Sequence, residues 1–204
     1  MLYFLGEICT LSLPVDHKKG LFRDLINEGI FDVLTTTLQS EDMEVAFKGA
    51  DILQQFVGWD RNTVCDYIIG QEGNQLLGYL VKNMITDFGE DVNIVFQQII
   101  EEFLMFPTTQ GDAFVDILYK KHLRQLVDLM ETSPPSGGVT NPVILSTICT
   151  FLVACLDLRP HPIMYDFLRG GLIPKVLSLT RHEDVCLKTS AVVFLDTILK
   201  LNVS

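Results

Sequence analysis

Met164-Tyr165-Asp166-Phe167-Leu168-Arg169-Gly170-Gly171-Leu172-Ile173-Pro174-Lys175-Val176-Leu177 reads as a short helix, a glycine break and a second helix. Gly170 and Gly171 suit a left-handed C-terminal cap. Pro174 suits the first turn of a helix, where a missing N–H costs nothing. The chain says this phrase four times. Phe22-Arg23-Asp24-Leu25-Ile26 runs on to Gly29-Ile30-Phe31, Val64-Cys65-Asp66-Tyr67-Ile68 to Gly73 and Leu76, and Phe114-Val115-Asp116-Ile117-Leu118 to His122-Leu123. Asp24, Asp66, Asp116 and Asp166 lie 42, 50 and 50 residues apart. Periods of roughly 40–47 residues made of two or three helices mark armadillo and HEAT arrays, with longer intervals absorbed by loops. The expected fold is all-α: an armadillo/HEAT-like right-handed superhelical solenoid of about four three-helix repeats.

Working outward, residues 1–204 read as one array, a fragment of a longer chain. A partial repeat covers 1–14, and repeats follow near 20–60, 62–107, 112–159 and 161–204. Leu2 to Leu13 is the closing helix of the partial repeat, ended by Pro14, and Val15 to Gly20 is a polar turn. The first full repeat has helices at Leu21–Glu28, Ile30–Leu38 and about Glu44–Val57, the last preceded by the capping run Ser40-Glu41-Asp42. On that third helix Val45, Ile52, Leu53, Phe56 and Val57 share one side, and Glu44, Lys48, Asp51 and Gln55 the other. Asn62-Thr63 opens the second repeat, whose later helices are Leu76–Thr86 and Val92–Phe106. The third repeat has helices at Asp112–Lys120 and Leu123–Met130. It then carries Thr132-Ser133-Pro134-Pro135-Ser136-Gly137-Gly138, an expected mobile insertion, before a buried third helix at Pro142–Leu158. That helix carries Ser146, Thr147 and Thr150 and falls short of the ~20 apolar residues of a membrane span. In the fourth repeat Glu183-Asp184 caps a helix from Val185 to Leu201. The third helices are expected to line the inner surface.

Composition agrees. Hydrophobic residues make up 48%, as expected where stacked helices bury faces on two neighbours. A formal charge of −11, from 26 acidic against 15 basic residues, argues against nucleic acid or an anionic membrane as partner and suits other proteins. Five cysteines, Cys9, Cys65, Cys149, Cys155 and Cys186, include no C-x-x-C pair and read as reduced, buried thiols. No basic leader or small-residue cleavage site follows Met1.

A search for chemistry yields no catalytic, cofactor-binding or metal site. None of His17, His122, His161 and His182 sits in a ligand pattern with a carboxylate or thiol. Glu101-Glu102 and Glu183-Asp184 are neighbours on helices and point in different directions. The glycines end helices instead of cradling phosphate, and Cys65 occupies an apolar repeat position. The four repeated aspartates are expected to serve helix dipoles or to cap a neighbouring loop. The polar sides of the third helices are the better binding candidates: Lys48, Asp51, Gln55, Gln97, Gln98, Glu101, Glu102 and Lys188.

Five stretches, in order, carry a family resemblance. They are Asn27-Glu28-Gly29-Ile30; Ala50-Asp51-Ile52-Leu53; Leu76 to Asp87 with Met84-Ile85; Phe114 through Tyr119-Lys120-Lys121-His122; and Phe151-Leu152-Val153-Ala154-Cys155 leading to His161. Together with the insertion after Met130, their order and spacing resemble the central armadillo-like region of the suppressor-of-MEK family, regulatory subunit 3 of protein phosphatase 4. The chain reads as a divergent member. The resemblance implies a non-catalytic subunit that joins a metal-dependent serine/threonine phosphatase catalytic subunit and a second regulatory subunit, with nuclear and cytoplasmic residence. It also implies a pleckstrin-homology-like domain before this region and a charged tail after it. The competing expectation is an unrelated armadillo-type peptide adaptor, as in nuclear transport or signalling. That class resembles a Trp/Asn ladder, and this chain has a single tryptophan, Trp59.

Overall fold

The structure, a computed structural model, describes residues 2–132 and 141–201. Among them every regular element is helical. Helix α1 spans Leu2–Thr10, and α2 spans Val15–Asn27. The polar run after Pro14 is thus helix, not turn. Pro14 occupies the N-cap position, and α2 runs through Gly20, which costs the helix backbone entropy but does not break it. Gly29, at φ 81°, turns the chain into α3 (Ile30–Leu38). The carboxylate of Asp42 then accepts from the N–H groups of Glu44 and Val45 and starts α4, Met43–Gly70.

Helix α4 joins two predicted helices across a bend at Asp60, whose φ and ψ are −155° and 86°. Its carboxylate accepts from the Thr63 N–H at 3.3 Å and hydroxyl at 2.9 Å. Asp60, rather than Asn62-Thr63, therefore caps the second half. Gly73 (φ 76°) and Asn74 (φ 53°) then turn the chain into α5, Gln75–Met84.

The remaining helices are α6 (Glu90–Leu104), α7 (Thr109–Ile117), α8 (Leu123–Thr132), α9 (Pro142–Leu158), α10 (Pro162–Phe167), α11 (Ile173–Leu179) and α12 (Val185–Leu201). π-Helical turns at Leu118–His122 and Leu168–Leu172 join α7 to α8 and α10 to α11; Gly171 in the second has φ 122°. The insertion expected to be mobile lies, from residue 133 on, outside the described residues.

The long helices stand side by side in chain order: α1 packs on α4, α4 on α6, α6 on α9 and α9 on α12. A second row runs α3, α5, then α8 and α11. Polar links recur between elements about one repeat apart. Asn83 Nδ2 donates to the Leu38 carbonyl at 2.8 Å, 45 residues away. Ser146 and Ser190 hydroxyls meet at 2.8 Å across 44 residues. Arg61 pairs with Glu102, and Lys121 donates to Asn74.

Apolar side chains fill the space between rows. Phe22 stacks obliquely on Phe56 with centroids 4.6 Å apart, and Phe31 stacks on Tyr67 at 4.0 Å. Trp59 lies in the same cluster, against Phe22 and Phe56, so it packs as core. Leu145, Ile148, Cys149, Phe151, Leu152, Cys155 and Leu156 are buried on α9, as its uncharged sequence predicts. Among the described residues no helix is long and apolar enough to cross a membrane.

Candidate protein-binding surface

The eight predicted residues divide by their surroundings. On α4, Lys48 and Asp51 are half-buried and pair at 3.5 Å. They sit beside α1: a Cβ on Gly6 would stand 2.8 Å from Lys48 Cε. Gln55 on the same helix is exposed. On α6, Gln97 is only 8% exposed and donates to Glu101 Oε1 at 2.7 Å. Gln98 is exposed, whereas Glu102 is held by Arg61. On α12, Lys188 is exposed. Gln55, Gln98 and Lys188 thus face solvent freely, Lys48 and Glu102 reach neighbouring helices, and Asp51 pairs with Lys48 on its own helix.

Between α6, α9 and α12 lies a groove of about 140 Å³. Gln97 lines it, with Ile94, Val143, Ser146, Thr147 and Thr150, and Asp184 and Cys186 close one side. Sequence reading missed all of these except Gln97. Ser146, Thr147 and Thr150 on one otherwise apolar helix are the sequence signal that could have found the groove, since three hydroxyls within two turns mark a partly wetted face.

The repeated aspartates do not sit where the helix-dipole explanation needs them. Asp24 and Asp116 lie near the C-terminal ends of α2 and α7, and Asp166 near that of α10. Helices α2 and α7 begin before the predicted Leu21 and Asp112, which moves Asp24 and Asp116 away from the first turn, and α10 starts at Pro162 as predicted but is only 6 residues long. Asp116 instead supports a neighbouring loop. It accepts from Lys120 at 2.7 Å and lies 3.2 Å from His161 Nε2, while His161 Nδ1 accepts from the Ile163 N–H and so caps α10. Its hydrogen bond with Lys120, followed by that with His161, holds its carboxyl below the usual range.

Arg159 anchors a polar junction. It donates to the carbonyls of Leu104 (3.0 Å) and Phe106 (2.8 Å) and pairs with Asp112 at 3.0 Å. The Tyr119 hydroxyl donates to the Arg159 and Cys155 carbonyls at 2.8 and 3.1 Å. Gly111 passes close by, and a Cβ there would stand 1.9 Å from the Phe106 carbonyl oxygen. These contacts fasten the ends of α6, α7 and α9 together.

Four of the five cysteines are buried; Cys186 is exposed, contrary to the expectation for all five. Burial pushes the Cys9 and Cys65 thiols up to about 11, and those of Cys149 and Cys155 to about 12. Buried neutral thiols of this kind are poor nucleophiles. Among the described residues no group of three or more His, Cys, Asp or Glu could hold a metal ion.

The family profile for Phosphatase 4 regulatory subunit 3 matches residues 1–204. The mouse (Mus musculus) Protein PPP4R3C1 is 24% identical over 98% of this chain, which spans 28% of that protein. Serine/threonine-protein phosphatase 4 regulatory subunit 3 of Drosophila melanogaster is 24% identical over 97% of the chain, which spans 22% of its length. The chain thus spans about a quarter of these relatives. With its whole length matched, the chain belongs to the phosphatase 4 regulatory subunit 3 family.

Proposed function

We propose that this chain is the partner-holding array of a non-catalytic phosphatase 4 regulatory subunit. In this reading it is an armadillo/HEAT-type right-handed solenoid with three-helix units near 20–60, 62–107, 112–159 and 161–204, after a partial unit at 1–14. It joins a phosphatase catalytic subunit and a second regulatory subunit, in the nucleus and the cytoplasm. Holding them together raises their effective concentration and fixes their orientation without any chemistry of its own. The observation that carries the reading is the row α1, α4, α6, α9 and α12. In this reading the exposed polar side chains along the row meet the partners, and the family match over all 204 residues supports the phosphatase setting.

Co-expression with the catalytic and second regulatory subunits, followed by cross-linking, tests it. Cross-links should fall on α4, α6 and α12, and the double reversal Asp51→Lys, Glu101→Lys should weaken capture by about 10-fold, the scale of a modest interface contact. Capture of transport factors or basic-signal cargo in place of the phosphatase would overturn the assignment.

A further inference from the structure

The groove between α6, α9 and α12 has a chemistry that selects among occupants. Its volume of about 140 Å³ is close to the ~150 Å³ cavity that holds one benzene ring and well below the ~300 Å³ at which small-molecule pockets begin. It fits an aliphatic side chain, not a cofactor. Apolar residues recur at the same end of the long helices. The first two turns of each long helix expose one: Phe47 on α4, Ile94 on α6 and Val185 on α12, with half-buried Val143 on α9. Packed helices stand ~8–10 Å apart, and an extended or polyproline chain rises ~3.1–3.3 Å per residue. A segment crossing the row therefore offers a side chain to each helix at about every third residue.

Charge decides the sign of that segment. Asp91 stands one turn before Ile94 and is exposed, as is Glu183, and Asp184 lines the groove itself. Lys188, one turn beyond Asp184, opposes them. Helix N-termini ordinarily favour anions, but here side chains already occupy some of their donors. Asn141 accepts from the Val143 N–H at 2.9 Å and Asp184 from the Leu187 N–H at 2.8 Å. What remains at the rim is negative.

We infer that this groove docks an extended basic segment of a partner protein, one aliphatic side chain seated between Ile94 and Val143 and cationic neighbours set against Asp91, Glu183 and Asp184. The inference rests on the reading of the long-helix row as a partner surface and deepens it by naming the partner's chemistry.

Cys186 supplies a direct readout, because it lines the groove and is the exposed cysteine of the five. The probe is a peptide of about a dozen residues repeating Lys-Val-Ser, chosen for the three-residue spacing. It should slow alkylation of Cys186 by iodoacetamide by about 10-fold at saturation, and a Glu-Val-Ser peptide should not. Ile94→Arg should abolish the protection. Because that variant alters an apolar site, the exposed pair Asp91→Asn and Glu183→Gln serves as the second test and should weaken binding by about 10-fold with the helical circular-dichroism signal retained. Equal protection by the acidic peptide, no protection by the basic one, or protection that rises with protein concentration alone, as a second copy would give, each overturns the inference. Capture of the phosphatase catalytic subunit by the same chain reports separately on the scaffold role. Capture without peptide protection sinks the groove and leaves the scaffold, and protection without capture does the reverse.

Discussion

Arg159 shows how much of this chain's cohesion rests on single polar side chains. Its guanidinium serves two carbonyls and the Asp112 carboxylate. Arg159→Ala leaves the Leu104 and Phe106 carbonyls without these donors, and charged hydrogen bonds of this kind contribute ~1.5–3 kcal/mol each in partly buried settings. We expect a loss of about 2–4 kcal/mol in urea unfolding; a change below about 0.5 kcal/mol would show the junction to be idle. His122 supplies a second prediction at this scale. Burial, ahead of the neighbouring Lys121, holds its pKa below 6.5, and its Nε2 is buried without a hydrogen-bonding partner among the described residues. The unfolded chain therefore takes up this proton first as pH falls. The linked stability is complete above the unfolded value and declines as pH drops through the window beneath it. Urea midpoints measured from about pH 7.5 to 5 should fall less steeply in His122→Phe than in the parent. Superimposable slopes would remove His122 as their source. The sequence showed His122 as a repeat position but gave no sign of its burial against Gly78 of α5, where a Cβ would lie 3.5 Å from the imidazole.

At the scale of elements, helix ends were legible because caps are local chemistry. Pro142 and Val185 start their helices where their sequences say, with Asn141 and Asp184 accepting backbone N–H groups. Asp60 is the instructive departure. Its neighbours read as a boundary between two helices, and the chain instead bends there while hydrogen bonding resumes at once. Asp60→Ala removes the cap of the second half of α4 and should cost ~0.5–2 kcal/mol, whereas Asp60→Asn should cost less than half of that. Equal losses for the two variants in chemical denaturation would mean that the carboxylate's charge, not its capping oxygen, matters. The repeated aspartates mislead for a related reason. Their spacing is real, but a helix start depends on residues outside the repeated phrase, such as Pro14 and Thr108.

The whole molecule is a row, in which each long helix leans on the helices one repeat before and after it. Stability in such an arrangement sums over neighbours, so in residues 1–204 taken by themselves α1 and α12 are each held by one such interface and the helices between by two. Hydrogen exchange should therefore be slowest in the first half of α4, α6 and α9 and faster in α1 and α12. Uniform protection from α1 to α12 would instead indicate one indivisible core.

Sequence alone determined that the chain is helical, where most helices begin and end, which sides are apolar, and the family to which the whole length belongs. The helices, their ends and their apolar sides follow from near neighbours: a capping oxygen, a glycine at positive φ, a 3.6-residue periodicity; the family follows from the order of five stretches along the chain. Only the tertiary structure decided which polar residues meet solvent. Periodicity gives Gln97, Gln98, Glu101 and Glu102 a direction on α6, but not what stands opposite. Arg61, 41 residues earlier, takes Glu102, and α9 and α12 close over Gln97 to make the groove. Those encounters are between residues a full repeat apart, and their geometry is set by how the helices stack.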